Sequence, residues 1–202
     1  MFVQVIQGQV SDADAVRTAL DAWERDLAPG ADGWLGSTSG VTDDGRLIAL
    51  VRFESAEAAQ RNSDRPEQGA WWSGMSALFT GEPTFSDSED VVLDLVGDPG
   101  TAGFVQVMRG HGTNPDRARE LMAQSSPEWA EFRPDILGSV AVLHPGGDYT
   151  MCIYFTSEAE AREGERKEPP AEMKAQMDEM TSLQTGPPEF FDLKQPWLRA
   201  PG

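Results

Sequence analysis

Apolar and polar residues alternate over residues 2–10 and again over 104–111, the two-residue period of a half-buried β-strand. After the first stretch Val16, Leu20, Trp23 and Leu27 recur at spacings of three and four, which predicts a helix to about residue 28 with one face buried. Ser11 with Asp14 three residues on reads as a capping box at its start. After the second stretch Asn114 is the expected N-cap and Pro115 the first helical residue, ahead of Leu121, Met122 and Trp129. A hairpin follows in each case. Residues 34–41 and 46–53 flank Thr42-Asp43-Asp44-Gly45, while 136–143 and 149–155 flank His144-Pro145-Gly146-Gly147. Ser55 and Ser157 are placed to cap a second helical region, which Pro66 or Pro169-Pro170 interrupts and which resumes over 71–79 and 173–183. A last strand is expected near 84–95 and near 189–193.

The pattern is a duplication. Phe2-Val3-Gln4-Val5 returns as Phe104-Val105-Gln106-Val107, 102 positions later, and Gly8, Leu35-Gly36-Ser37, Phe53, Ser55 and Met75 return as Gly110, Leu137-Gly138-Ser139, Phe155, Ser157 and Met177 at the same spacing. Thr80-Gly81 and Thr185-Gly186 are 105 positions apart, which puts a three-residue insertion after the last helix of the second copy. The glycines and proline of 97–103 mark a junction. The expected domains are a ferredoxin-like repeat over 1–97, a linker over 98–103 and a second repeat over 104–198. Strand, helix, hairpin, helix, strand is the ferredoxin-like βαββαβ order of an α+β protein. Helices cover one face of such a sheet, yet these strands are apolar on both, so two sheets packed face to face would bury all of it.

Composition narrows the partners. The 202 residues are 39% hydrophobic, enough to fill a core, and 34 acidic against 16 basic residues give a charge of −18. Such a charge repels phosphate backbones and anionic lipid, so neither nucleic acid nor a membrane is an expected partner. The sequence shows no secretory leader pattern and no run of about twenty apolar residues, which reads as cytoplasmic. Cys152, the sole cysteine, lies in an apolar stretch without a basic neighbour and reads as a buried core thiol in a reducing compartment. With two separated histidines there is no metal constellation, and no glycine-rich loop follows a strand, so no cofactor is expected. His111 ends a strand on the parity of Val105 and Val107, assigned to the helix-covered face, which weakens it as a general base. His144 falls in a turn and is expected in solvent.

Gly33-Trp34-Leu35-Gly36-Ser37 and the apolar strand with acidic helix start over 50–59 resemble the dimeric α+β barrel superfamily, and within it the antibiotic-biosynthesis-monooxygenase-like domains. The resemblance implies that the tandem chain builds within itself the barrel that single-module relatives build by dimerising, as a monomer or homodimer. It also implies a ligand between the sheet and the second helix. On the strand face Phe2, Gln4, Ile6 and Gly8 only Gln4 is polar, as is Gln106 in the second copy. Arg52 and Tyr154 occupy matching strand positions and could orient an acidic or phenolic ligand. Trp71, Trp72, Met75, Leu78 and Phe79 align at constant spacing with Met173, Lys174, Met177, Met180 and Thr181, which predicts unequal pockets, the first walled by Trp71 and Trp72 and seeing Gln4 or Arg52, the second smaller or filled. The strands lack the asparagine, and the second helices the histidine, that haem-degrading relatives use, which speaks against haem. Two classes stay open, both with a small hydrophobic or aromatic partner: a cofactor-independent monooxygenase acting on an aromatic or polyketide-like substrate, and a non-enzymatic ligand-binding protein.

Overall fold

The computed structural model describes residues 1–124 and 127–201. The chain runs β1 (Phe2–Gln9), α1 (Ala13–Asp26), β2 (Trp34–Val41), β3 (Arg46–Phe53), α2 (Ala56–Ser63), α3 (Pro66–Ser76), β4 (Thr84–Ser88) and β5 (Val91–Leu95). It continues with β6 (Phe104–His111), α4 (Pro115–Met122), α5 (Pro127–Phe132), β7 (Ile136–Leu143), β8 (Asp148–Phe155), α6 (Glu158–Gly164), α7 (Ala171–Ser182), β9 (Glu189–Leu193) and β10 (Trp197–Arg199).

These elements form two compact units, Met1–Glu89 with Pro196–Gly202, and Asp90–Gln195. The first holds a sheet in the order β10-β2-β3-β1-β4, the second one in the order β5-β7-β8-β6-β9, each antiparallel throughout. Removing β10 from one and β5 from the other leaves the ferredoxin-like arrangement twice, so the α+β duplication stands. The outer strands are exchanged. The segment expected as one long strand near 84–95 breaks after Ser88, and its second part, β5, pairs with β7 from Val91↔Val142 to Leu95↔Gly138. In return β10, which no local pattern predicts, pairs with β2 through Trp197↔Ser39 and Arg199↔Ser37.

Local chemistry explains the helix starts. Asn114 caps α4 by accepting from Arg117 N at 3.1 Å, and Ser55 and Ser157 cap α2 and α6 through Ala58 N and Glu160 N, each at 3.3 Å. At α1 the cap is Asp12, which accepts from Ala15 N at 2.9 Å, whereas Ser11 donates to Leu78 O. The carboxylate one position on holds the extended backbone that a cap needs.

In the first unit the helices lie on the face carrying Phe2, Ile6, Leu47, Val51 and Phe53, where Val16, Trp23, Met75 and Phe79 pack. The other face, with Val3, Val5, Ile48 and Leu50, is buried as well. Parity therefore assigned Val105 and Val107 to the wrong side: they share their face with Cys152 and Tyr154, while Phe104 packs with α6 through Ala161. Two apolar faces leave alternation unable to name the helix side. His111 is half-exposed and its Nδ1 lies 2.8 Å from Asp148 Oδ1. His144 is partly buried rather than fully in solvent, with Nε2 3.0 Å from Thr150 Oγ1.

The insertion also falls elsewhere. Trp71 Nε1 donates to Ala19 O at 2.9 Å, and Gln176 Nε2 donates to Leu121 O at 2.8 Å. Val10 bridges Phe79 as Gly112 bridges Gln184. Ala19 and Leu121 are 102 positions apart, but Trp71 and Gln176, like Phe79 and Gln184, are 105 apart. The extra residues thus precede α7, in the link 165–170 that replaces the short link 64–65. The true counterparts of Trp71, Trp72, Met75 and Phe79 are Gln176, Met177, Met180 and Gln184. Among the described residues no helix is long and apolar enough to cross a membrane.

Candidate functional site

Each unit holds a cavity between its sheet and its helices. In the first unit it measures about 250 Å³. Its floor is Gln4, Ala49, Val51 and Phe53, and its walls are Trp23 of α1, Trp34 of β2 and Trp71 and Trp72 of α3. The rings form a continuous ladder. Trp34 meets Trp23 edge-on at 5.0 Å, Trp23 and Trp71 are 6.3 Å apart, Trp71 and Trp72 6.1 Å, and Trp72 meets Phe85 at 5.5 Å, within the range of favourable aromatic pairs. Two indoles are fixed by their N–H groups, Trp71 on Ala19 O and Trp23 on Gln68 Oε1 at 2.6 Å.

Two polar groups of this cavity are donors in need of acceptors. Trp34 Nε1 and Arg199 Nη1 are buried and have no hydrogen-bond partner among the described residues. Arg199 reaches the cavity from β10, only 8% exposed, held by Glu24 at 3.0 Å and by Asp21. A glycine at 36, with φ +124°, admits that strand: a Cβ there would collide with the Arg199 carbonyl.

The second cavity is larger, about 440 Å³. Met108, Met122, Met151, Met177 and Met180 line it together with Trp129 and Leu121. The expectation of a smaller or filled second pocket is reversed, and the corrected register gives the reason. Where the first unit has the rings of Trp71, Trp72 and Phe79, the second has Gln176, Met177 and Gln184, which occupy less of the space over the sheet. Gln176 is spent on structure, accepting from Trp129 Nε1 at 3.0 Å while donating to Leu121 O. Gly8 and Gly110 each make room for a ring, but for different ones. A Cβ at 8 would stand 2.6 Å from Phe79 Cδ1, and one at 110 would stand 2.7 Å from Tyr149 Oη. Tyr149 faces the cavity, and burial raises its phenol above the usual value, so the hydroxyl stays protonated.

Of the residues singled out in the sequence, Gln4, Trp71 and Trp72 meet in the first cavity. Arg52 does not: Val3 is its cross-strand neighbour, which puts it on the face away from the helices, and it donates to Thr38 Oγ1 at 2.9 Å. Tyr154, opposite Val105, is buried on the corresponding face of the second unit. Gln106 is on the helix side but donates to Asp192 at 2.9 Å, and Asp192 is bonded by Arg162, whose guanidinium lies 5.1 Å over the Phe104 ring. That cluster accompanies the absence of Gln106 from the second cavity's lining. The sequence reading missed Trp34, Arg199, Tyr149 and Asp94, although the paired Gly8 and Gly110 were a signal that a ring crosses strand one. Among the described residues no three His, Cys, Asp or Glu side chains are grouped to hold a metal ion.

No family model and no curated protein matches the chain. Solved structures match it over its whole length. A provisionally named monooxygenase from Fusobacterium nucleatum is 8% identical with a TM-score of 0.78, covering 100% of this chain and 94% of its own. Another from Lactobacillus acidophilus is 10% identical with a TM-score of 0.70, covering 98% of both chains. An anthrone oxidase-like protein is 12% identical with a TM-score of 0.69, covering 100% and 93%. At these identities the likeness is one of fold.

Proposed function

We propose that the chain is a small-molecule-binding protein whose first unit takes a planar aromatic, polyketide-like compound and oxygenates it without a cofactor. The observation that carries this reading is the tryptophan-walled cavity with the unmatched donors Trp34 Nε1 and Arg199 Nη1. Indole walls hold flat rings, and the donors are matched by a carbonyl or phenolate oxygen on the ligand's rim. Arg199 already carries two carboxylates, so the local charge is not positive and a neutral carbonyl suits it better than a third acid. An activated ring CH2 flanked by carbonyl or phenol groups is acidic enough to give up a proton to solvent, leaving an enolate whose oxygen these donors would stabilise. The enolate then reduces O2: one oxygen atom enters the product as a carbonyl, the other leaves as water with the two hydrogens, and no external reductant is needed. The chain's share of the work is to hold the ring flat, stabilise the oxyanion and exclude water.

The second reading, a non-enzymatic binding protein, is favoured by the lack of a carboxylate or imidazole among the described residues lining this cavity. Anthrone and 1-naphthol, added to the protein in parallel oxygen-uptake and thermal-shift measurements, separate the two. Uptake of one O2 per anthrone consumed supports oxygenation. A thermal shift without uptake leaves binding alone, and neither response sinks both readings.

A further inference from the structure

The two units place side chains of opposite charge at one equivalent position, Arg199 with its charge met by Asp21 and Glu24 in the first and Asp94 in the second. Arg199 pairs with Ser37 and Asp94 pairs with Ser139, and the serines are 102 positions apart, so the exchanged strands β10 and β5 present these side chains from the same place in each sheet. Arg199 is the only charged residue lining the first cavity and Asp94 the only one lining the second, among the described residues. Tyr149 adds no charge, since burial keeps its phenol protonated. Asp94 is partly exposed and takes part in other protein interactions, but a carboxylate has about four lone-pair sites and accepts a further donor beside them.

The walls differ in the same sense. Five methionines around about 440 Å³ form an unbranched, polarizable lining that adapts to an irregular or flexible guest, where the tryptophans of the first unit select a flat one. Trp129 gives this lining an aromatic face, which attracts cations. We propose that the cavity of the second unit is a separate ligand site for a flexible apolar molecule with an amine head, the ammonium on Asp94 and the chain along Met108, Met151, Met177 and Met180. This site is independent of the aromatic reading of the first unit and goes beyond it.

Calorimetric titration of the full chain with N,N-dimethyldecylamine, decan-1-ol and decanoate, below their micellar ranges, tests it. The amine should bind at one site at least about tenfold more tightly than decanoate, with the alcohol between them. Asp94→Asn should bring amine and alcohol to within about twofold of each other and leave decanol binding unchanged. Ala118→Phe, which puts a ring into the cavity from α4, should weaken all three probes together. Decanoate binding as tightly as the amine, or an Asp94→Asn protein that keeps the amine's advantage, would overturn the assignment. So would amine binding that survives Ala118→Phe, because that locates it on the acidic surface.

Discussion

The first and second units share a strand order, a pair of crossing glycines and a glutamine at the centre of strand one, yet their cavities have diverged in wall, size and charge. In the first, four indoles stand in an unbroken row of ring contacts, and two buried donors, on Trp34 and Arg199, have no acceptor among the described residues. In the second, two glutamines and a methionine stand where Trp71, Phe79 and Trp72 do, and among the described lining residues the one formal charge is negative. Duplication kept what the backbone needs, the glycines and the hairpins, and released what only a ligand would constrain. The volumes support that division: about 440 Å³ lies inside the range of roughly 300–1,000 Å³ common for small-molecule pockets, and about 250 Å³ falls just under it, as suits a thin, flat guest.

The sharpest way to break the comparison is through its tryptophans. Trp23 and Trp129 each donate to a glutamine of the last helix of their unit, but Trp23 is 7% exposed and stands between Trp34 and Trp71. Trp23→Ala should cost about 3–5 kcal/mol of stability in urea titration, the range for a core aromatic, and Trp129→Ala clearly less. Equal losses would mean that the ladder adds nothing to the first unit.

Exchanging walls comes next. Gln176→Trp with Gln184→Phe restores to the second unit the rings its counterpart carries. The double variant should lose dimethyldecylamine binding by about tenfold or more while its stability moves by no more than about 2 kcal/mol. In the opposite direction Trp72→Ala should weaken 1-naphthol binding about tenfold at a stability cost of about 1–2 kcal/mol, since Trp72 is only partly buried. A stability loss as large as that of Trp23→Ala would make Trp72 a core residue instead.

The smallest effect is in pH. Burial raises the Tyr149 phenol in the folded protein, so above the usual value of 10 the unfolded chain releases that proton while the folded one keeps it. Stability from this source is complete below pH 10 and falls as the pH rises toward the raised value. Urea midpoints taken between pH 9 and 11 should fall less steeply in Tyr149→Phe than in the parent. Identical slopes would show that the hydroxyl meets solvent in the folded state.

The duplicated βαββαβ order was legible because strand and helix periods are local and because Phe-Val-Gln-Val repeats intact. Gln4, Trp71 and Trp72 were legible as one group through the resemblance to the α+β barrel superfamily, which implies a ligand between the sheet and the second helix. Arg52 was misplaced because choosing a face needs the cross-strand register, and both faces of these strands are apolar. The insertion was put on the wrong side of the last helix because a chance Met75–Met177 match concealed the true partner, Met180. Arg199 and Asp94 were out of reach altogether, since their roles depend on strands that pair far from their neighbours in sequence. No local pattern records that the chain leaves one sheet after Ser88 and returns to it at Trp197.

That return has a consequence for synthesis. The strands of the second sheet, β5 to β9, are contiguous in the chain and all have been made by Leu193, while the first sheet lacks its outer strand until Arg199 has been added. A nascent chain emerging from the ribosome can therefore finish its second half before its first. Until Trp197–Arg199 has been added, the amino-terminal half keeps the edge of β2 open and the salt bridges of Asp21 and Glu24 unmade.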